Sequence, residues 1–170
     1  LLRLGSFSKA EGVKYWLMKS EPKEFSIDAL KKNKKTLWTG VRNYQARNYM
    51  TQEMRKGDLV VFYHSNAQPS GIAGLAIVSS EEAQVDPLQF DAKSEYYDPK
   101  SKKEKPTWYC VEISYKAHAQ KFVSLDELKK VSSLKDMKLL QRGNRLSIMP
   151  LTEKEFTTLS KLAGFKLAGF

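Results

Sequence analysis

The apolar residues of this chain come in strand-length runs that turn residues cut off, and no long helical repeat separates one run from the next. Residues 15–19 read YWLMK and stop before Pro22. Residues 59–64 read LVVFYH, apolar enough for a strand buried on both faces. The turn Lys56-Gly57-Asp58 launches that run. After the turn Gln68-Pro69-Ser70-Gly71 a second run, 72–78, returns, so the two predict a hairpin. Residues 108–117 make the longest candidate. Alternation there puts Trp108, Cys110, Glu112 and Ser114 on one face and Tyr109, Val111, Ile113 and Tyr115 on the other. A brief strand over 146–149 is expected to end at Pro150.

The helices between these runs are short. Ser26 is placed to cap one, with Phe25, Ile27 and Leu30 as its apolar contacts. Residues 31–35 read as a basic loop around Asn33. The spacing predicts a helix over 43–54, with Tyr44, Arg47 and Asn48 on one side. Ser124 and Glu127 spell a capping box for a helix that holds Leu128. Thr152 and Glu155 spell another, opening a helix with an apolar stripe of Phe156, Leu159 and Leu162. Residues 81–106 hold Pro87, Pro99, Pro106 and a lysine cluster, and read as a long surface excursion. Strands broken by short helices, without βαβ alternation, predict an α+β, strand-dominated fold: a small, partly closed β structure with helices outside.

Charge bounds the partners. Among 170 residues, 29 are Lys or Arg and 19 are Asp or Glu, a formal net charge of +10. Such a chain attracts polyanions, nucleic acid first and an acidic membrane surface second; a lysine-rich surface that serves only solubility is the alternative. No apolar run approaches a membrane span. The lone Cys110 excludes an internal disulfide and reads as a buried thiol. One Cys and two His exclude a cysteine-rich zinc site, and no metal or cofactor is expected. Residues 1–13 are expected to be an arm, flexible or a targeting or cloning remnant, and 163–170 a tail within the KLAGF repeat of 161–170. An intracellular place fits; nucleus, mitochondrion and bacterial cytoplasm are not distinguished.

Catalytic pairs are scarce. His64 and Ser65 are neighbours on an extended run, so they point to opposite faces. His118 has no acid beside it in sequence, and no G-x-S-x-G, Walker loop or dinucleotide fingerprint occurs. Gly71 and Gly74 suit close packing in a strand better than phosphate binding. Recognition groups are denser. WTGVRNYQARN (38–48) brings an aromatic ring, two arginines and several amide or phenol groups together. Residues 63–66 add Tyr63, His64, Ser65 and Asn66, and Ser147 lies beyond Arg145. Planar faces with fixed donors and acceptors are what a nucleobase pocket needs. The alternative is a polar helix, a strand end and a loop that never meet.

YWLMKSEP (15–22), WTGVRNYQARN (38–48), FYHS (62–65), GIAG (71–74), YDP (97–99) and RLSIMP (145–150) together resemble the EVE domain over residues 14–162. The resemblance implies a PUA-like pseudo-β-barrel with short peripheral helices. It implies a non-catalytic reader of a modified base, modified cytosine in DNA or modified RNA; separately, a monomer is expected. Carried over by position, the pocket is expected to draw on Lys19, Ser20, Glu21, Trp38, Asn43, Tyr44, Tyr63, His64, Ser65 and Ser147, with a basic rim. Trp38 is expected to stack on the base. Arg42, Arg47 and Arg145 are expected on phosphates; for Arg42 and Arg47 a structural salt bridge to Glu21 or Asp98 is the alternative. Two other classes stay open: an enzyme on nucleotides using His64 or Glu21, and a small-molecule or protein-binding adaptor.

Overall fold

A computed structural model of the chain describes residues 12–167. Most of the expected arm (1–11) and the end of the repeat (168–170) lie outside the described residues. Eight strands are described: β1 (Tyr15–Ser20), β2 (Lys35–Leu37), β3 (Leu59–His64), β4 (Gly71–Val78), β5 (Gln84–Val85), β6 (Tyr109–Cys110), β7 (Glu112–Ser124) and β8 (Ile148–Leu151). Four α-helices accompany them: α1 (Ile27–Asn33), α2 (Tyr44–Asn48), α3 (Leu125–Lys129) and α4 (Glu153–Ala163). The main sheet runs β2-β7-β4-β3-β1-β8, and β5 pairs with β6 in a small second sheet. The whole is a strand-dominated, curled half-barrel with helices outside.

Pairing in the main sheet is antiparallel except between β1 and β3. These two strands are buried on both faces, as their unbroken apolar runs require. Trp16, Met18, Val60 and Phe62 enter one core with Trp38, Met50 and Ile113. Leu17, Val61 and Tyr63 enter a second core with Leu75, Met149, Phe156 and Leu159. Gly74 keeps β4 close to its neighbours. A Cβ there would lie 2.6 Å from the Ala117 carbonyl and 2.5 Å from Ile27 Cδ1.

The caps are where the sequence put them. Ser26 Oγ accepts from Ala29 N at 3.1 Å. Both capping boxes form, Ser124 with Glu127 and Thr152 with Glu155. Gly164, with φ at 74°, ends α4 in the left-handed region. Past it Phe165 is buried in the second core.

Several local expectations need correction. Residues 31–35 are not a loop: α1 runs through Asn33, Lys34 turns at φ 70°, and β2 begins at Lys35. The expected helix over 43–54 starts as α2 and changes at Tyr49–Glu53 into a π-helical turn that buries Tyr49 and Met50. The long strand from 108 is two strands. The chain leaves the small sheet at Cys110 and enters the main sheet at Glu112, so Cys110 and Val111 are both buried and strict alternation fails. Pro150 lies inside β8, opposite Trp16, instead of ending it. An edge strand has no partner on its far side to miss the proline N–H. Residues 81–106 are not only surface: Asp86 and Gln89 are fully buried there.

A second buried carboxylate closes the base of the sheet. Asp58, 1% exposed, accepts from Trp16 Nε1 at 2.9 Å, Arg55 N at 2.9 Å and Lys14 N at 3.1 Å. Asp58→Ala strands these donors, each at about 1–3 kcal/mol. Urea unfolding is expected to show a loss of at least about 3 kcal/mol; a loss under about 1 kcal/mol would contradict the role.

Candidate nucleic-acid interface

Because β1 and β3 are parallel, they end together. Lys19 pairs with Tyr63 and Ser20 with His64. Ser65 N donates to the Ser20 carbonyl at 3.0 Å, and Lys19 N donates to the Ser147 carbonyl at 2.8 Å. Three remote segments therefore meet at one sheet end. Above them is a cavity of about 650 Å³, lined by Lys19, Ser20, Glu21, Glu24 and Phe25 from the β1–α1 turn. Thr36 to Arg42 form a second wall, Glu95 and Tyr96 a third, and Ser65, Asn66, Arg145 and Ser147 the rest.

The second wall is pinned from behind. Asp86 Oδ2 accepts from Gly40 N at 2.8 Å and from Arg42 Nη1 at 2.9 Å. Gly40 turns at φ 85°, with the Tyr96 ring where a Cβ would go. Trp38 follows from this turn. It is 8% exposed, packs edge-on against Phe62 at 5.6 Å, and gives the cavity only part of its surface.

Eight of the expected residues line the cavity: Lys19, Ser20, Glu21, Trp38, Arg42, Ser65, Arg145 and Ser147. Five do not, each for a local reason. Asn43 caps α2, its Oδ1 accepting from Ala46 N at 2.9 Å. Tyr44 points outward from the first turn of α2 and stacks on Trp108 at 5.0 Å. Tyr63 faces the second core, where burial pushes its phenol up to about 12. His64 Nε2 accepts from Ile27 N at 3.1 Å, at the start of α1. Arg47 lines a separate cavity with Asn48, Thr51 and Tyr109.

The arginines also differ from expectation. Arg42 bonds Asp86, not Glu21 or Asp98, and its Nε and Nη2 donate to the Tyr96 carbonyl at 3.0 and 2.8 Å. Arg47 donates to the Thr107 carbonyl and to Asn48 Oδ1. Asp98 instead accepts from Trp108 Nε1 at 2.8 Å. Nor is the rim uniformly basic, because Glu21, Glu24 and Glu95 face Lys19, Arg42 and Arg145. Burial holds the Lys19 ammonium below the ordinary lysine range. Among the described residues no carboxylate lies within ion-pair distance of it. Glu21 accepts a short hydrogen bond from Asn66 Nδ2 on one oxygen. Cys110 is buried and its thiol is pushed up to about 12, which leaves it inert.

Sequence reasoning missed Asp86, Tyr96 and Glu95, and Glu24 offered only an i, i+3 spacing from Glu21 that is common by chance. Asp86 and Glu95 are isolated in irregular stretches and carry no pattern. Tyr96 immediately precedes the YDP string, the one signal that pointed near it.

A strand-dominated, curled sheet with short helices outside it is a PUA-like domain. The EVE domain model matches residues 14–162, and the chain belongs to that family. It is 45% identical over 160 residues to thymocyte nuclear protein 1 of Danio rerio, covering 83% of this chain and 68% of that protein. A solved hypothetical protein from Leishmania major matches with a TM-score of 0.86 at 44% identity, over 91% of this chain and 97% of the other. The human THYN1 protein, solved in complex with 5-methylcytosine-containing DNA, matches with a TM-score of 0.83 at 40% identity, over 90% and 99%.

His64 gives the site a pH signature. Burial is the main cause that holds its imidazole below the ordinary value of 6.5, opposed by Asp28 and reinforced by His118. The folded state therefore resists protonation of His64 while the unfolded chain accepts it. That contribution to stability is present above about pH 6.5 and is lost as pH falls toward the lower folded value. Unfolding midpoints measured from pH 7.5 to 5 are expected to fall, and His64→Gln, which keeps an acceptor for Ile27 N, is expected to flatten that fall. An unchanged slope in the variant would refute the assignment.

Proposed function

We propose that this chain is a non-catalytic reader of nucleic acid, and that its cavity receives one modified base, 5-methylcytosine in DNA, turned out of its strand. The observation that carries the reading is the convergence of Lys19, Ser20, Glu21 and Ser147 with Trp38 around a cleft of about 650 Å³ at the β1 and β3 ends. That volume lies in the range of small-molecule sites and has ample room for one base. The human relative solved with 5-methylcytosine-containing DNA supports the choice of base.

The donor set fits a cytosine edge. The oxygen of Glu21 not bonded to Asn66 is free to accept from an exocyclic amine, as carboxylates do toward cytosine N4. Lys19 supplies a donor for a carbonyl, desolvated and without a protein counterion among the described residues. Trp38 supplies an apolar wall beside Phe25 and Val41. Nothing in the site favours turnover. His64 already uses Nε2 to cap α1 and lies outside the cavity lining. Arg42 is committed to Asp86 and Tyr96, so phosphate contacts fall to Arg145 and the exposed lysines nearby.

Titration with matched oligonucleotides tests this. The parent is expected to prefer 5-methylcytosine over cytosine, and its affinity to fall with salt at a log-log slope of roughly −2 to −5, for a few neutralised phosphates. Glu21→Gln and Lys19→Met are each expected to lose about 1–3 kcal/mol of binding while melting like the parent. Equal affinity for both bases, or variants that bind like the parent, would defeat the reading. Trp38 is a poor probe because its truncation also opens the first core.

A further inference from the structure

Tyr44 is left unused by the cavity, yet it is the most exposed large apolar side chain among the described residues, at 61%. Its ring is nevertheless fixed. One face stacks on Trp108 at 5.0 Å and 24°. Trp108 is itself buried, and its indole N–H donates to Asp98 at 2.8 Å. Arg47 does not cover the other face. Its guanidinium carbon lies 4.9 Å from the Tyr44 ring and 5.9 Å from that of Trp108. A cation on the outer face would be separated from Trp108 by the whole thickness of the stack, so Arg47 stands at the edge of the pair. The outer face of Tyr44 is therefore an open, rigidly backed aromatic plane with a positive charge beside it.

This plane is continuous with the cavity. Arg42 lines the cavity and lies 5.6 Å from the Tyr96 ring on one hand and 5.4 Å from Trp108 on the other. From the cavity wall to the open face the order is Tyr96, Arg42, Trp108, Tyr44. Tyr96, Arg42, Trp108 and Tyr44 thus form an unbroken series of contacts that links the cavity wall to the open face.

We propose that the outer face of Tyr44 stacks on a second nucleobase of the strand whose modified base enters the cavity, so that the chain reads more than a lone base. This rests on the cavity being a base site. An aromatic face accepts any base, because every base has a π face. An adjacent arginine suits the phosphate that joins two nucleotides. The occupant is thereby a base, and not an apolar protein surface, which would leave the Arg47 charge desolvated.

The test uses the full chain and a DNA oligonucleotide with one 5-methylcytosine, intact or with a single abasic site at one of the neighbouring positions on either side. The parent is expected to lose at least about fivefold in affinity, near 1 kcal/mol, when one of these neighbouring bases is removed. Tyr44→Ala and Tyr44→Leu are each expected to lose as much on the intact oligonucleotide and to show no further loss on the abasic one. Tyr44→Phe is expected to stay within about twofold of the parent, and all three to melt within a few degrees of it. Additive losses, variants that bind like the parent, or indifference of the parent to every abasic site would overturn the proposal. A parent blind to the methyl group that keeps the coupling would sink the cavity reading and leave the Tyr44 face standing. A parent that binds no oligonucleotide would sink both.

Discussion

The buried carboxylate of Asp86 holds the rest of the site in place. It is wholly inaccessible to solvent, and a charge so placed is costly unless paired and hydrogen-bonded. Its oxygens accept from Leu88 N, Gly40 N and the Arg42 guanidinium. Those donors come from two segments that share no strand pairing with each other. Remove the carboxylate, and Arg42 keeps a cation with no counterion while the Gly40 turn loses its anchor. The link from Arg42 to the Tyr96 carbonyl then lacks its fixed end. The wall leaves the sheet at β2, and past Trp38 its course depends on that ion pair.

The sheet contributes the floor, through its single parallel pair. Antiparallel neighbours end at opposite sides, whereas β1 and β3 both deliver their last residues to one edge. A parallel pair needs a long crossover. Here the crossover, residues 21–58, carries α1, β2, the Trp38–Arg42 turn and α2. The same topological requirement that aligns Ser20 with His64 therefore supplies the segment that covers them. Cavity floor and cavity wall are linked by chain connectivity, and Asp86 only locks the wall at the right height.

This explains which features were legible in the sequence. Strand runs, the hairpin and both capping boxes depend on neighbours a few residues apart, and residues 59–64, Ser124 and Thr152 announced them. The block 38–48 announced that something polar and aromatic was there, but not where each group goes. At Asn43 the backbone passes from extended to helical, so Asn43 turns inward as a cap and Tyr44 outward. Alternation along β3 sends Tyr63 to the second core, whereas Ser65 reaches the cavity because it lies just past the strand end. Contiguity in sequence suggested one pocket, and secondary structure divided it. Asp86 was illegible for another reason. Its partners lie 44 and 46 residues away in a stretch without periodicity.

Charge divides in the same way. The chain as a whole carries +10, yet the cavity lining sets three carboxylates against three cations. The excess lies outside, on exposed lysines such as Lys31, Lys32 and Lys34 beside β2 and Lys100, Lys102 and Lys103 on the long excursion. Exposed lysines attract a polyanion at long range and without regard to sequence. A cavity with surplus positive charge would draw a phosphate into the place proposed for a base. A balanced lining does not, and Glu21 on its wall actively repels one. On the proposed reading, attraction and discrimination are therefore carried by different residues, and a change in one need not disturb the other.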